Sequence, residues 1–158
     1  MKAITKVAFW ETMLSKIPLE VPIMAVEDAP IIEVIRKMQA QSSSCCLLVT
    51  NDSELVGICT VRDLMREYIG ASMAENVPVS SVMSHNPITL HPEDTVSDAV
   101  KLFGRAHFRH LPIVKKDGHI TGLLSVRLLM DFIAENLPEE VLNLPPDSTI
   151  IPRSREGG

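Results

Sequence analysis

A hydroxyl and a carboxylate stand three residues apart in Thr60-Val61-Arg62-Asp63, where an apolar strand gives way to a helix. Two chemistries fit that spacing. In a capping box, the two side chains satisfy free N–H groups at the start of the helix. In a binding device, the same helix start offers unpaired N–H groups and the positive end of the helix dipole to a phosphate. The neighbouring carboxylate can then accept hydrogen bonds from both hydroxyls of a ribose. The spacing alone does not separate the two. The surrounding stretch, Gly57-Ile58-Cys59-Thr60-Val61-Arg62-Asp63-Leu64, returns 65 residues later as Gly122-Leu123-Leu124-Ser125-Val126-Arg127-Leu128-Leu129. There the hydroxyl survives as Ser125, but Leu128 stands where the acid was.

Basic side chains show the opposite asymmetry. His85, His91, His107, His110 and His119, together with Arg105, Arg109, Lys115 and Lys116, all fall in the second copy. Arg109 and His110 precede a strand, where the first copy has the uncharged Ser44 and Cys45. A solvated strand entrance accounts for them as readily as a ligand contact does. His107 and His110 are three apart, but no acid or cysteine joins them in sequence, and ligand count and geometry fall short of a metal site. Cys45, Cys46 and Cys59 have no C-x-x-C spacing and lie in apolar runs, which marks them as core residues.

The elements that hold these residues follow the repeat. Val7, Trp10, Met13, Leu14 and Ile17 recur at helical spacing, predicting a leading helix over 5–17 with Thr5 as cap and Pro18 as stop. Residues 22–26 read as extended. Asp28 with Pro30 signals a helix start, and Ile31, Val34, Ile35 and Met38 form its apolar face. Residues 45–49 read as a strand buried on both faces, 51–54 as a turn, 55–59 as a strand and 62–69 as a helix ended by Gly70. The order then returns: extended at 87–90, a cap at Asp94, a helix through Val96, Ala99, Val100 and Phe103, strands at 110–114 and 120–124, and a helix at 126–135. Without a gap, nine of the 47 pairs from Pro22/Pro87 to Tyr68/Ile133 are identical. A single β-α-β-β-α copy of about 50 residues is marginal alone. Two copies can bury their sheets against each other, which predicts one α+β domain of two pseudo-symmetric repeats. The expected layout is a leading helix at 1–17, repeats at 18–70 and 82–137, a connector at 71–81 and a tail at 138–158.

Composition bounds the function. A net charge of −5 gives no footprint for nucleic acid. No apolar run reaches the roughly 20 residues of a membrane span, and residues 1–17 do not read as a signal peptide. A soluble cytoplasmic protein is expected. Gly-x-Ser-x-Gly, a phosphate-binding Gly-rich loop and paired acids are all missing, which argues against an enzyme.

The duplicated unit, with its strand-Gly-h-h-(Thr/Ser)-x-x-Asp-helix signature (h, apolar), resembles the tandem cystathionine-β-synthase-type (CBS) domain, or Bateman module, over residues 17–136. The resemblance implies a disc of two repeats whose clefts bind AMP, ADP, ATP or S-adenosylmethionine, with no metal beyond any Mg carried by a nucleotide. It further implies a regulatory module that pairs into homodimers and acts on a separate target protein, which the sequence does not name. Carried over by residue, Asp63 is the ribose ligand and Thr60 the phosphate-side contact, with Arg62 between them. Arg109 and His110 would meet phosphates, and Ile88, Thr89 and Phe108 would form the adenine wall, although core packing also explains Ile88 and Phe108. Ser125 is the counterpart of Thr60, and Leu128 departs from the pattern at the second position. A ligand-free dimerisation and protein-interaction module is the competing expectation, motivated by Leu128 and by the apolar leading helix.

Overall fold

The computed structural model describes residues 6–68, 76–105 and 107–136. The expected cap at Thr5, the helix stop at Ile69 and Gly70, most of the connector and the tail at 138–158 lie outside these residues.

Within each repeat, apolar periodicity becomes a sheet covered by two helices. In the first repeat, α2 (Ile31–Ala40) buries Ile31, Val34 and Met38. Strand β2 (Cys45–Val49) is buried throughout. Its alternate residues serve two cores, as the twofold strand period requires. Cys46 and Leu48 pack with Val34, Met38 and Leu64 inside the repeat. Cys45 and Leu47 meet Leu123 of the second repeat, flanked by Leu55, Ile58 and Ile120. That second contact joins the two sheets. The first sheet runs β1 (Met24–Val26), β2, β3 (Leu55–Thr60), β4 (Ser84–His85), with β1 parallel to β2 and the other pairs antiparallel. Helix α3 (Val61–Tyr68) follows β3 directly.

The second repeat has α4 (Val96–Arg105), β5 (His110–Val114), β6 (Ile120–Ser125) and α5 (Val126–Asn136). Strands β5 and β6 pair antiparallel. The extended segment at 87–90 is reduced to one parallel bridge, Leu90 to Ile113. The cause lies in one residue. In the first sheet the Leu47 N–H donates to the Ile23 carbonyl at 2.8 Å. Pro112 occupies the equivalent place in β5 and has no N–H to give. The β5–β6 turn takes a left-handed residue at Gly118 (φ 88°), where the first repeat forces Ser53 to φ 65°.

The leading helix is a correction. It ends early: α1 is Lys6–Trp10, and residues 14–16 form a separate 3-10 turn. The backbone between them is taken by the second repeat. Leu14 N–H donates to the Asp94 carbonyl (2.8 Å), Ser15 N–H to the Pro92 carbonyl (2.9 Å), and Val96 N–H to the Thr12 carbonyl (2.9 Å). Sixty-five residues on, the same three bonds run from Val79 to Ala29, Ser80 to Glu27 and Ile31 to Val77 at 2.9–3.0 Å. Each repeat is therefore completed by a segment that precedes the other. Phe9, Leu14 and Ile17 lie in the second repeat's core with Leu111, Leu124 and Leu129, and Phe9 stacks on Phe132 at 5.9 Å.

Helix starts also differ from expectation. Pro30, not Asp28, precedes α2, and it makes no side-chain cap bond. At α4 the cap is Thr95, while Asp94 accepts from the His91 N–H at 2.7 Å.

Gly122 shows how closely the incoming segment approaches. A Cβ there would sit 2.7 Å from Leu19 Cβ and 3.3 Å from the Glu20 carbonyl. The segment cannot recede, because Glu20 and Leu123 exchange two 3.0 Å backbone bonds. At Gly57 the obstacle is the flexible Met83 side chain. Gly122→Ala is expected to cost about 1–3 kcal/mol and more than Gly57→Ala. Phe9→Ala is expected to cost about 3–5 kcal/mol. Urea denaturation reads all three, and a loss of only about 0.5 kcal/mol for Phe9→Ala would place Phe9 on the surface instead.

Candidate functional site

At the start of α3 the Thr60 and Asp63 side chains close a reciprocal box. Asp63 Oδ2 accepts from the Thr60 N–H at 2.9 Å and from the Thr60 hydroxyl at 2.7 Å, and the Asp63 N–H donates to Thr60 Oγ1 at 3.3 Å. Arg66 Nη2 reaches Asp63 Oδ1 at 3.5 Å. Thr95 and Asp98 at α4 make the same three bonds at 3.0, 2.7 and 3.3 Å. The box is thus a capping device in both places, and its bonds alone carry no sign of a ligand. The helix start also offers fewer free donors than the sequence suggests. The Val61 N–H goes to the Ser44 carbonyl at 3.1 Å, and the Asp63 N–H is used in the box.

Location separates the two boxes. Asp63 is 7% exposed and lines a cleft of about 1110 Å³ between the repeats, to which Asp98 does not contribute. Of the residues singled out above, Thr60, Arg62, Asp63, Ile88, Phe108, Arg109 and His110 come together in its lining. Thr89 and Ser125 do not. Thr89 is half-buried outside the lining, and Ser125 is buried at the start of α5. Ile88 and Phe108 are not core side chains, being 48% and 40% exposed within the cleft. His85, Asn86 and Pro87 complete the wall beside α3. Asn86 turns there with φ 48°, a value Asn tolerates.

His110 joins the repeats, its Nε2 lying 3.2 Å from Ser44 Oγ. Burial holds its pKa below the usual imidazole value; Glu20 pulls it up and Arg109 pushes it down. The three cysteines are buried and free of disulfides. Burial pushes the Cys46 and Cys59 thiols up to about 11 and about 12, and raises Cys45 as well. They stay protonated core residues. Among the described residues no group of three or more His, Cys, Asp or Glu side chains is placed to hold a metal ion. No helix among them is long and apolar enough to cross a membrane.

Glu20 was not singled out in the sequence. Its carboxylate accepts a 2.6 Å bond from Ser125 Oγ, which itself accepts from the Leu128 N–H at 3.1 Å. The acid missing at Leu128 is replaced from a different segment. Extending the repeat register upstream of Pro22 would have pointed there, since it pairs Leu14 with Val79 and Glu20 with His85.

The CBS domain profile matches residues 14–70 and 79–135, the same register. The chain belongs to the CBS domain family. A CBS domain-containing protein of Arabidopsis thaliana is 32% identical over 110 residues, 68% of this chain and 20% of that protein. The inosine-5′-monophosphate dehydrogenase of Thermoplasma acidophilum is 33% identical over 96 residues, 61% of this chain and 19% of that enzyme. The match thus spans about a fifth of these relatives' length. Among solved structures, a CBS domain protein from Pyrobaculum aerophilum complexed with AMP superposes with a TM-score of 0.68 at 23% identity, covering 78% of this chain and 99% of that one. A CBS domain pair in complex with 5′-methylthioadenosine and S-adenosyl-L-methionine gives 0.70 at 18% identity, covering 78% and 97%. At these identities the likeness is one of fold.

The His110 pKa has a signed consequence for stability. The folded value lies below the unfolded value of about 6.5, so the unfolded chain binds more protons beneath that pH and stability falls as pH falls. Between pH 7.5 and 5.5 the wild type is expected to lose more stability than His110→Gln. Urea midpoints at the two pH values measure the difference.

Proposed function

We propose that the cleft holds an adenosyl ligand, AMP, ADP, ATP or S-adenosylmethionine, and that its occupancy regulates a partner protein. The observation that carries this reading is the placement of buried Asp63 on the wall of a large inter-repeat cleft, with exposed apolar Ile88 and Phe108 and cationic Arg109 lining the same space. Those surfaces match the parts of a nucleotide: a carboxylate for ribose hydroxyls, apolar side chains for a base, and guanidinium for phosphate. Adenosyl ligands in two CBS pairs of the same fold support it. Regulation, rather than catalysis, is the reading we favour, because the one carboxylate in the lining is already committed to a helix cap. The protein acts in this reading as a soluble cytoplasmic homodimer. Exposed Val61 and Met65 on α3 and Met130 on α5 supply apolar surface for association, and the same surface keeps a ligand-free assembly role as the second reading.

The two boxes provide a matched test. Asp63→Ala and Asp98→Ala each remove a cap and are expected to cost about 1 kcal/mol of stability. Calorimetry with the four ligands should show binding by the wild type and by Asp98→Ala, and at least about tenfold weaker binding by Asp63→Ala. Equal affinities for the two variants, or no binding by the wild type, sink the site. Sedimentation that is indifferent to ligand then favours the assembly role.

A further inference from the structure

The cleft and its pseudo-equivalent position differ in charge more than in shape. Arg62, Arg66 and Arg109 line the first, with His85, His107 and His110, against one carboxylate, Asp63. Shifting each by 65 residues gives the second position. Arg62 keeps its charge there as Arg127, but Arg66 becomes Asp131, Arg109 becomes Ser44, and His85 becomes Glu20. His107 and His110 become Ser42 and Cys45, and Asp63 becomes Leu128. Ser44, also in the lining, becomes Arg109, so three arginines against one acid are replaced by two arginines against two acids. Arg127 lies 3.9 Å from Asp131, and Glu20 occupies the Ser125 hydroxyl at 2.6 Å. A carboxylate therefore stands at the second helix start, where a phosphate would have to come.

Resting on the adenosyl reading of the cleft, we infer that the chain holds one ligand, that this ligand carries phosphate and is not the cationic S-adenosylmethionine, and that the position around Ser125 is closed to it. Phosphate gains from the arginines in a partly desolvated cleft. S-adenosylmethionine, whose sulfonium and ammonium outweigh its one carboxylate, meets the same arginines with a net positive charge. The chain as a whole is acidic, at −5, so this local excess of cations is not a by-product of composition.

Titration calorimetry on the full chain with ATP, AMP and S-adenosylmethionine, at low and high salt, tests it. ATP is expected to bind one per chain, at least about tenfold tighter than S-adenosylmethionine, with the advantage shrinking as salt rises. Arg109→Ser, which installs the residue found at Ser44, should weaken ATP about tenfold and leave S-adenosylmethionine no weaker, so the gap between the two ligands narrows. Arg127→Ser should alter neither. Arg109 is exposed, and matching thermal unfolding curves establish that its variant is folded. Two ATP per chain, S-adenosylmethionine as tight as ATP, or ATP binding indifferent to Arg109→Ser overturns the inference. A chain that binds S-adenosylmethionine alone overturns it while keeping the adenosyl reading. A chain that binds no adenosyl compound removes both.

Discussion

The exchange of leading segments is the constraint on which the other features depend. Without it, β3 and β6 would each present an open edge, and an open edge in water is a site for unwanted pairing. Residues 84–85 cover β3, and Glu20 bridges Leu123 on β6. The 3-10 turns just before these segments fill the cores: Val79 in the first repeat, Leu14 in the second. Neither repeat is complete in its own stretch of chain, so the two fold as one body. The exchange also builds the cleft. By pairing with β3, β4 leads the chain into Asn86, Pro87 and Ile88 beside the start of α3.

Capping and binding compete to explain Thr60 and Asp63, and magnitude alone does not choose between them. A cap is worth about 1 kcal/mol, enough to account for the pair. The Thr95–Asp98 box shows that the chain builds the same device away from that cleft. What remains particular to Asp63 is a buried carboxylate facing a space lined by arginines. One group can serve both ends: the cap fixes the carboxylate, and a fixed carboxylate loses less entropy when a ligand arrives.

Local pattern and repetition made much of the fold legible. Residues 45–49 and 110–114 coincide with β2 and β5, because an apolar run bounded by turn residues leaves little choice. The helical period at Ile31, Val34 and Met38 survives in α2. The leading helix failed where tertiary hydrogen bonds outweighed periodicity: Val7, Trp10, Met13 and Leu14 repeat as a helix would, yet the Leu14 and Ser15 N–H groups are claimed by Asp94 and Pro92. The cap at Asp94 failed because Thr95 stands one residue closer to the helix and Asp98 closes its box. In the cleft, the motif residues were readable from their spacing. Glu20 was not, since its partner Ser125 lies 105 residues away and no local pattern joins them.

The exchanged segments also bear on ancestry. Reciprocal bonds of 2.8 and 2.9 Å at Leu14/Asp94 and Val79/Ala29 are what two copies of one shorter chain would make if each lent its leading strand to the other. The present molecule has the connectivity of such a swapped dimer with its halves joined in tandem. Joining them removes the obligation of symmetry. In a true dimer, a change from Ser to Arg at the strand entrance would appear on both sides at once. In the fused chain, Arg109 and Ser44 can differ, and one interface can give rise to two unlike faces.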